Sequence, residues 1–173
     1  MARALTFPGQ GSQAVGMGKA LADAFLAARE VFEEVDEALK QPLSRLIWEG
    51  PEADLTLTEN AQPALMAVSL AVMRVLEQDG KFVWGKHVDV VAGHSLGEYS
   101  ALAAAGALSV SDAARLLKAR GRAMQRAVPV GQGAMAALLG AEVGQAEEVS
   151  REASQGPEVC VVANDNAPGQ VVI

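Results

Sequence analysis

One short stretch constrains this chain more than any other. The run Val88-Asp89-Val90-Val91-Ala92 leads directly into Gly93-His94-Ser95-Leu96-Gly97, and an alanine-rich segment continues to about Ala105. The first part reads as a fully buried strand and the last as a helix. Strand, tight turn and helix in that order form the nucleophile elbow, which projects a serine from a strained turn. Gly93 and Gly97 remove side chains that would collide as strand and helix close on each other. Ser95 would then stand at a helix N-terminus, where unpaired N–H groups favour a developing negative charge. The N–H of Leu96 is the natural first donor to an oxyanion. A merely tight turn is the plainer alternative, and the flanking strand and helix favour the nucleophile.

A nucleophilic serine needs a base, and the sequence holds only two histidines, His87 and His94. His94 adjoins Ser95, and neighbours in a tight turn generally point apart, so it is expected to order the turn or contact substrate. His87, between Lys86 and Val88, reads as a solvated loop residue. No histidine follows Ser95, although elbow enzymes place theirs later in the chain.

Around the elbow, 3.6-residue spacing predicts helices over 19–39, 60–78 and 109–128. Asn60 is the expected cap of the second, with Pro63 in its first turn. Leu65, Val68, Val72 and Leu76 would form its buried face. Ser109 and Asp112 are spaced as a capping box for the third. Residues 3–7 read as a strand ended by Pro8-Gly9-Gln10-Gly11-Ser12. Val128-Pro129-Val130-Gly131-Gln132-Gly133 reads as a linker. Beyond it the expected order is strand (134–139), helix (143–154), strand (158–163), turn (164–169) and a last β-like run, 171–173. This is the opening of a split βαβ module.

Composition narrows the function classes. Fourteen Lys plus Arg against 21 Asp plus Glu give a net charge of −7, which argues against non-specific nucleic-acid binding. Half the residues are apolar, so the chain can offset the entropy of ordering. No window resembles a membrane span or a signal peptide. The single cysteine, Cys160, excludes an internal disulfide framework and a Cys-rich zinc site, and a reducing cytoplasm is the expected location. Cys160 is expected to pack within a strand. No metal and no cofactor are expected.

On the 109–128 helix, Ala113, Leu116, Leu117, Met124 and Ala127 form an apolar stripe that includes Arg120. An arginine facing a core is rarely left unpaired. Two readings are open: a structural salt bridge, or a guanidinium that grips a substrate carboxylate through both nitrogens. Arg115, Lys118, Arg122 and Arg126 point elsewhere and read as a solvated face. The glycine loop 8–13 lacks the Gly-Lys-Ser/Thr ending of a phosphate loop and the G-x-G-x-x-G of a dinucleotide site. It can bring backbone N–H groups to the carboxyl end of the sheet, the source of a second oxyanion donor.

Together, several segments resemble the malonyl-CoA:acyl carrier protein transacylase family of fatty-acid synthesis. These are Phe7-Pro8-Gly9-Gln10-Gly11-Ser12-Gln13, Gln62-Pro63-Ala64, Gly93 to Tyr99, Arg120-Gly121 with Met124-Gln125, and Asn166 with Pro168-Gly169-Gln170-Val171-Val172. The resemblance implies transfer of malonyl from coenzyme A to the carrier's phosphopantetheine thiol through an acyl-serine. Ser95 would be the nucleophile, Gln10 and Leu96 would supply oxyanion N–H groups, and Arg120 would bind the malonyl carboxylate. The implied fold is α/β: an α/β-hydrolase-like core (1–128) with an inserted ferredoxin-like subdomain beginning at 129–173. The family's catalytic histidine would lie downstream of Ile173. Malonyl-CoA and acyl carrier protein are the implied partners of a monomeric enzyme, with Arg115, Lys118, Arg122 and Arg126 as a candidate basic docking patch. The competing readings are a serine hydrolase or thioesterase with the same elbow, and an inactive fragment or docking module. Arg120 separates them, because a simple esterase has no use for a carboxylate clamp.

Overall fold

A computed structural model of the chain describes residues 2–129, 131–154 and 157–173. Val130 of the expected linker lies outside the described residues. The fold is mixed α/β, with elements β1 (Ala4–Phe7), α1 (Lys19–Ala24), α2 (Leu26–Leu39), α3 (Leu43–Glu49), α4 (Glu52–Thr56), α5 (Thr58–Gln78), β2 (Val90–Gly93), α6 (Leu96–Ala104) and α7 (Val110–Ala127). After these come β3 (Ala137–Leu139), α8 (Val143–Ala153), β4 (Asn164–Ala167) and β5 (Gln170–Val172). The chain divides into two compact units, Met1–Ala127 and Val128–Ile173. Among the described residues, no helix is long and apolar enough to cross a membrane.

In the first unit α5 is central, with α2 and α7 as its main neighbours. Ala28, Phe32 and Val35 of α2 and Leu117 of α7 are buried with Ala64, Leu65, Met66, Ala67 and Leu70 of α5. The small residues decide which face goes inward. Val72 and Leu76, expected in the core, are exposed, whereas Ala67, Ala71 and Met73 are buried. The same happens on α7. Its buried face is Val110, Ala113, Ala114, Leu117, Lys118 and Gly121, while Leu116 and Met124 of the expected stripe are 46% and 44% exposed. Gly121 makes this possible: a Cβ there would lie 2.5 Å from the Glu59 Cα and 2.7 Å from the Thr58 carbonyl oxygen. Gly121→Ala is therefore expected to push α7 off α5 and cost about 1–3 kcal/mol, as overpacking does, read as a drop in thermal stability.

The expected single helix over 19–39 is broken at Phe25, whose backbone is extended (φ −128°, ψ 125°). Arg29 donates through Nε and Nη2 to the Ala22 carbonyl, one of those the break leaves open. Asn60 does not cap α5 but is its third residue, and its buried amide serves tertiary partners instead. Nδ2 donates to the Asp54 carbonyl (2.9 Å), and Oδ1 accepts from Gln41 (3.2 Å) and Lys118 (2.7 Å). At the start of α7, the Ser109 hydroxyl accepts from the Asp112 N–H (3.0 Å) and donates to the Asp112 carboxylate (2.7 Å).

Strands β1 and β2 pair in parallel, with Leu5 opposite Val91 and Phe7 opposite Gly93. The expectation that this strand is fully buried does not hold: Val90 is 54% exposed. β2 has one paired neighbour among the described residues, and the apolar cover it shares comes from Phe7, Met73 and Ala101.

The second unit is a three-stranded antiparallel sheet in the order β3-β5-β4, with α8 between β3 and β4 in the chain. A reciprocal capping box of Glu142 and Gln145 starts α8. Residues 158–163 are not a strand, and the expected turn at 164–169 is largely strand β4, turning only at Pro168-Gly169. Val159 and Val161 are 81% and 59% exposed, so their apolar character buys no burial. Cys160 lies in this irregular segment, its N–H held by the Ser154 hydroxyl at 2.9 Å.

Candidate active site

β2 ends at Gly93, and α6 begins at Leu96, so the chain must reverse within two residues. Ser95 takes the strain, at φ 57° and ψ −114°. A non-glycine residue there is sterically disfavoured and is held by its surroundings. The Gly97 N–H bonds the His94 carbonyl (2.9 Å) and the Glu98 N–H the Ser95 carbonyl (3.2 Å). A Cβ on Gly93 would come within 2.0 Å of the Gly97 carbonyl, and one on Gly97 within 2.4 Å of the Phe7 carbonyl oxygen. The two glycines are thus required, one for the turn and one for the approach of the segment that follows β1. Leu96 is buried, and its N–H, as the first in α6, has no partner within the helix.

The loop after β1 lies against this turn: a Cβ on Gly9 would stand 3.5 Å from the His94 carbonyl oxygen. The loop is braced by Gln13, which accepts the Gly11 N–H at 2.9 Å. Gln10 tethers it to the start of α5 by donating Nε2 to the Thr58 hydroxyl at 3.2 Å. The loop is therefore held against the elbow at Gly9 and against α5 at Gln10.

Arg120 reaches the elbow from α7. Its Nη2 donates to the Ser95 hydroxyl at 2.9 Å, and its Nη1 donates to Gln62 Oε1 at 2.6 Å. The guanidinium carbon lies 5.9 Å from the centre of the Tyr99 ring, within cation–π range. Among the described residues Arg120 makes no ion pair, so the salt bridge that one of the two readings required is missing. Gln62 is fully buried, and its Nε2 meets the Met124 sulfur at 3.3 Å. Met124, which the sequence reading put in the core, is instead the half-exposed far wall of this glutamine.

Of the remaining α7 cations, Arg115, Arg122 and Arg126 are exposed as expected, and Lys118 is the exception. Lys118 is 7% exposed and does not belong to a solvated face. Its Nζ lies 3.0 Å from a Glu59 carboxylate oxygen that Arg122 also binds at 2.9 Å. Arg115 pairs with Asp112 at 2.8 Å. Lys118 is thereby removed from the candidate docking patch. Among the described residues neither histidine hydrogen-bonds Ser95: His87 Nδ1 accepts the Val83 N–H, and His94 lies exposed beside the Gly9 loop, its Nδ1 3.8 Å from where a Gly9 Cβ would stand. In the sequence Gln62 and Tyr99 stand out only as members of resembling segments, and Glu59 carries no signal. Their partners on α7 are some sixty residues away for α5, a separation no local pattern encodes.

Hydrogen bonds from Arg122 and then Lys118 hold the Glu59 carboxyl below its ordinary range. A carboxylate whose pKa is lowered by folding stabilises the fold above its unfolded pKa, and that stability is lost as pH falls through the folded one. Glu59→Gln is thus expected to lower the melting temperature most near neutral pH. The gap from wild type should narrow as the pH falls through and below the usual carboxylate range. A gap independent of pH would show that the charge is not what matters.

Comparison with known proteins matches this arrangement to a class. The acyl transferase domain family model covers residues 5–173, and the chain belongs to that family. It is 49% identical over 170 residues to the malonyl CoA-acyl carrier protein transacylase of Bacillus subtilis (strain 168), covering 98% of this chain and 52% of that protein. The crystal structure of an acyl-carrier-protein-S-malonyltransferase from Bartonella henselae superposes with a TM-score of 0.91 at 59% identity, covering 99% of this chain and 54% of that one. A malonyl-transacylase in complex with its type II PKS acyl-carrier protein gives a TM-score of 0.87 at 44% identity, with 99% and 54% covered. The chain spans about half the length of the curated relatives it matches.

Proposed function

We propose that the polypeptide carrying this sequence transfers malonyl from coenzyme A to the phosphopantetheine thiol of an acyl carrier protein, in fatty-acid biosynthesis. The observation that carries this reading is the 2.9 Å approach of an ion-pair-free guanidinium to the hydroxyl of a strained elbow serine. A malonyl group on Ser95 places its free carboxylate one methylene beyond the ester carbonyl, within reach of a group that already touches Oγ. The names and functions of the relatives support the same assignment.

In this mechanism the carboxylate of malonyl-CoA takes the Arg120 fork, and the Nη2 bond to Ser95 is given up. Oγ then attacks the thioester carbonyl. The N–H groups of Leu96 and Gln10 receive the oxyanion, a contribution of about 2.7–4 kcal/mol per donor in comparable sites. The C–S bond breaks, coenzyme A leaves as the thiol, and malonyl remains as an ester on Ser95. The carrier's thiol attacks that ester in turn and releases the serine. Neither histidine of this sequence hydrogen-bonds the Ser95 hydroxyl among the described residues, so we assign the base to a residue outside it.

We assign 1–128 to an α/β-hydrolase-like core and 129–173 to the start of a ferredoxin-like insertion, in a monomeric cytoplasmic enzyme. The parallel β1–β2 pair with its elbow supports the first, and the β-α-β-β order supports the second. The test is transfer of labelled malonyl from coenzyme A to phosphopantetheinylated carrier by the full-length polypeptide. Transfer supports the reading, and hydrolysis of simple acyl esters without transfer would replace it with a serine hydrolase.

A further inference from the structure

The ion-pair cluster on Glu59 has no part in the chemistry above, yet it stands where α7 crosses the start of α5. Glu59 is gripped at three points by α7. Its N–H donates to Gln125 Oε1 at 2.8 Å, its Cα lies under Gly121, and its carboxylate holds Lys118 and Arg122. Lys118 and Arg122 lie two residues to either side of Arg120. One turn further along α5, Gln62 takes the Arg120 Nη1.

Polar side chains of α7 therefore meet α5 in two sets, one on Glu59 and Asn60, which share Lys118, and one on Gln62. The first fixes the rotation and height of α7, and the second receives the arginine that this placement delivers to Ser95. We propose that Glu59 is a positioning residue for acyl selectivity, acting through the setting of α7 rather than by touching substrate. This rests on the reading of Arg120 as the carboxylate clamp. Lys118 gives the device its force. It is nearly buried, and when the carboxylate becomes an amide its ammonium keeps the neutral Asn60 Oδ1 at 2.7 Å but loses the charge that balanced it. The helix carrying it then has to turn or lift to bring that charge to water. A guanidinium displaced by a fraction of an ångström loses its pairing with a small carboxylate, while an uncharged acyl group does not register the shift.

The test is the ratio of kcat/KM for malonyl-CoA to that for acetyl-CoA, in the full-length protein, for wild type, Glu59→Gln, Lys118→Met and the double variant. Glu59→Gln is expected to lower the ratio about tenfold, chiefly through malonyl, with acetyl transfer within about twofold. Lys118→Met removes the stranded charge but keeps the stem, so the double variant should recover most of the ratio. A merely structural role would lower both activities together and leave the ratio unchanged. If Glu59→Gln does not fold, the double variant and Lys118→Met decide, because each should then hold the ratio near wild type while Gly121→Ala, which displaces the same helix, lowers it. An unchanged ratio in folded Glu59→Gln, or in folded Gly121→Ala where that variant decides, overturns the proposal. Arg120→Ala, run alongside, separates the two claims: if it too leaves the ratio unchanged, it is the clamp reading that has failed.

Discussion

Ser95→Ala in the full-length polypeptide is expected to reduce malonyl transfer by at least about 10⁴-fold while the protein still folds. The substitution removes one atom, the Oγ to which the proposed mechanism assigns the acyl ester. What holds the elbow in place is elsewhere: the close approaches of Gly93 and Gly97, the buried Leu96, and the turn hydrogen bonds to the His94 and Ser95 carbonyls. Alanine carries the same Cβ as serine into the positive-φ position, so the backbone strain is unchanged. One hydrogen bond, from Arg120, is lost. Release of coenzyme A in the presence of carrier measures the activity, and the melting curve measures the fold. Near-wild-type release by folded Ser95→Ala would remove the serine from the mechanism.

Arg120→Ala is expected to lose malonyl transfer far more than acetyl transfer. Truncating one partner of a desolvated charge pair costs on the order of 2–5 kcal/mol, roughly thirtyfold to several thousandfold in kcat/KM. Acetyl has no carboxylate to lose, and its transfer should stay level or rise as the pocket becomes less polar. Gln62 makes the comparison sharper. It is fully buried, and in the variant its Oε1 loses the Arg120 donor, a stability cost that falls on both substrates alike. Only the difference between the two donors therefore reports on the clamp. Equal losses would show that Arg120 is structural.

The elbow was legible because everything that makes it is local. Two glycines, a serine and a change of period from strand to helix lie within some fifteen residues. Arg120 stands out in the sequence as a charge on an apolar stripe. The stripe itself was misplaced, since Leu116 and Met124 are half exposed and the real contact face runs through Ala113, Ala114 and Gly121. Hydrophobic periodicity rewards large side chains, whereas a close helix crossing is made by small ones. Lys118 shows the same limit from the other side. Its charge marked it as solvated, and only Glu59 and Asn60, far away in sequence, make its burial tolerable. In the second unit, polar Asn164–Ala167 forms a strand because β5 is there to pair with it. The apolar run before it bonds β5 through the Ala163 N–H and is irregular over 158–163.

In the proposed mechanism a malonyl group rests covalently on Ser95 between the two half-reactions. Incubating full-length wild type with malonyl-CoA in the absence of carrier, then digesting and mapping the peptides by mass spectrometry, tests it directly. One malonyl group is expected, on the peptide containing Gly93-His94-Ser95-Leu96-Gly97, and it should disappear on adding phosphopantetheinylated carrier. A label confined to another residue, or transfer to carrier from an enzyme that never carries one, would contradict it.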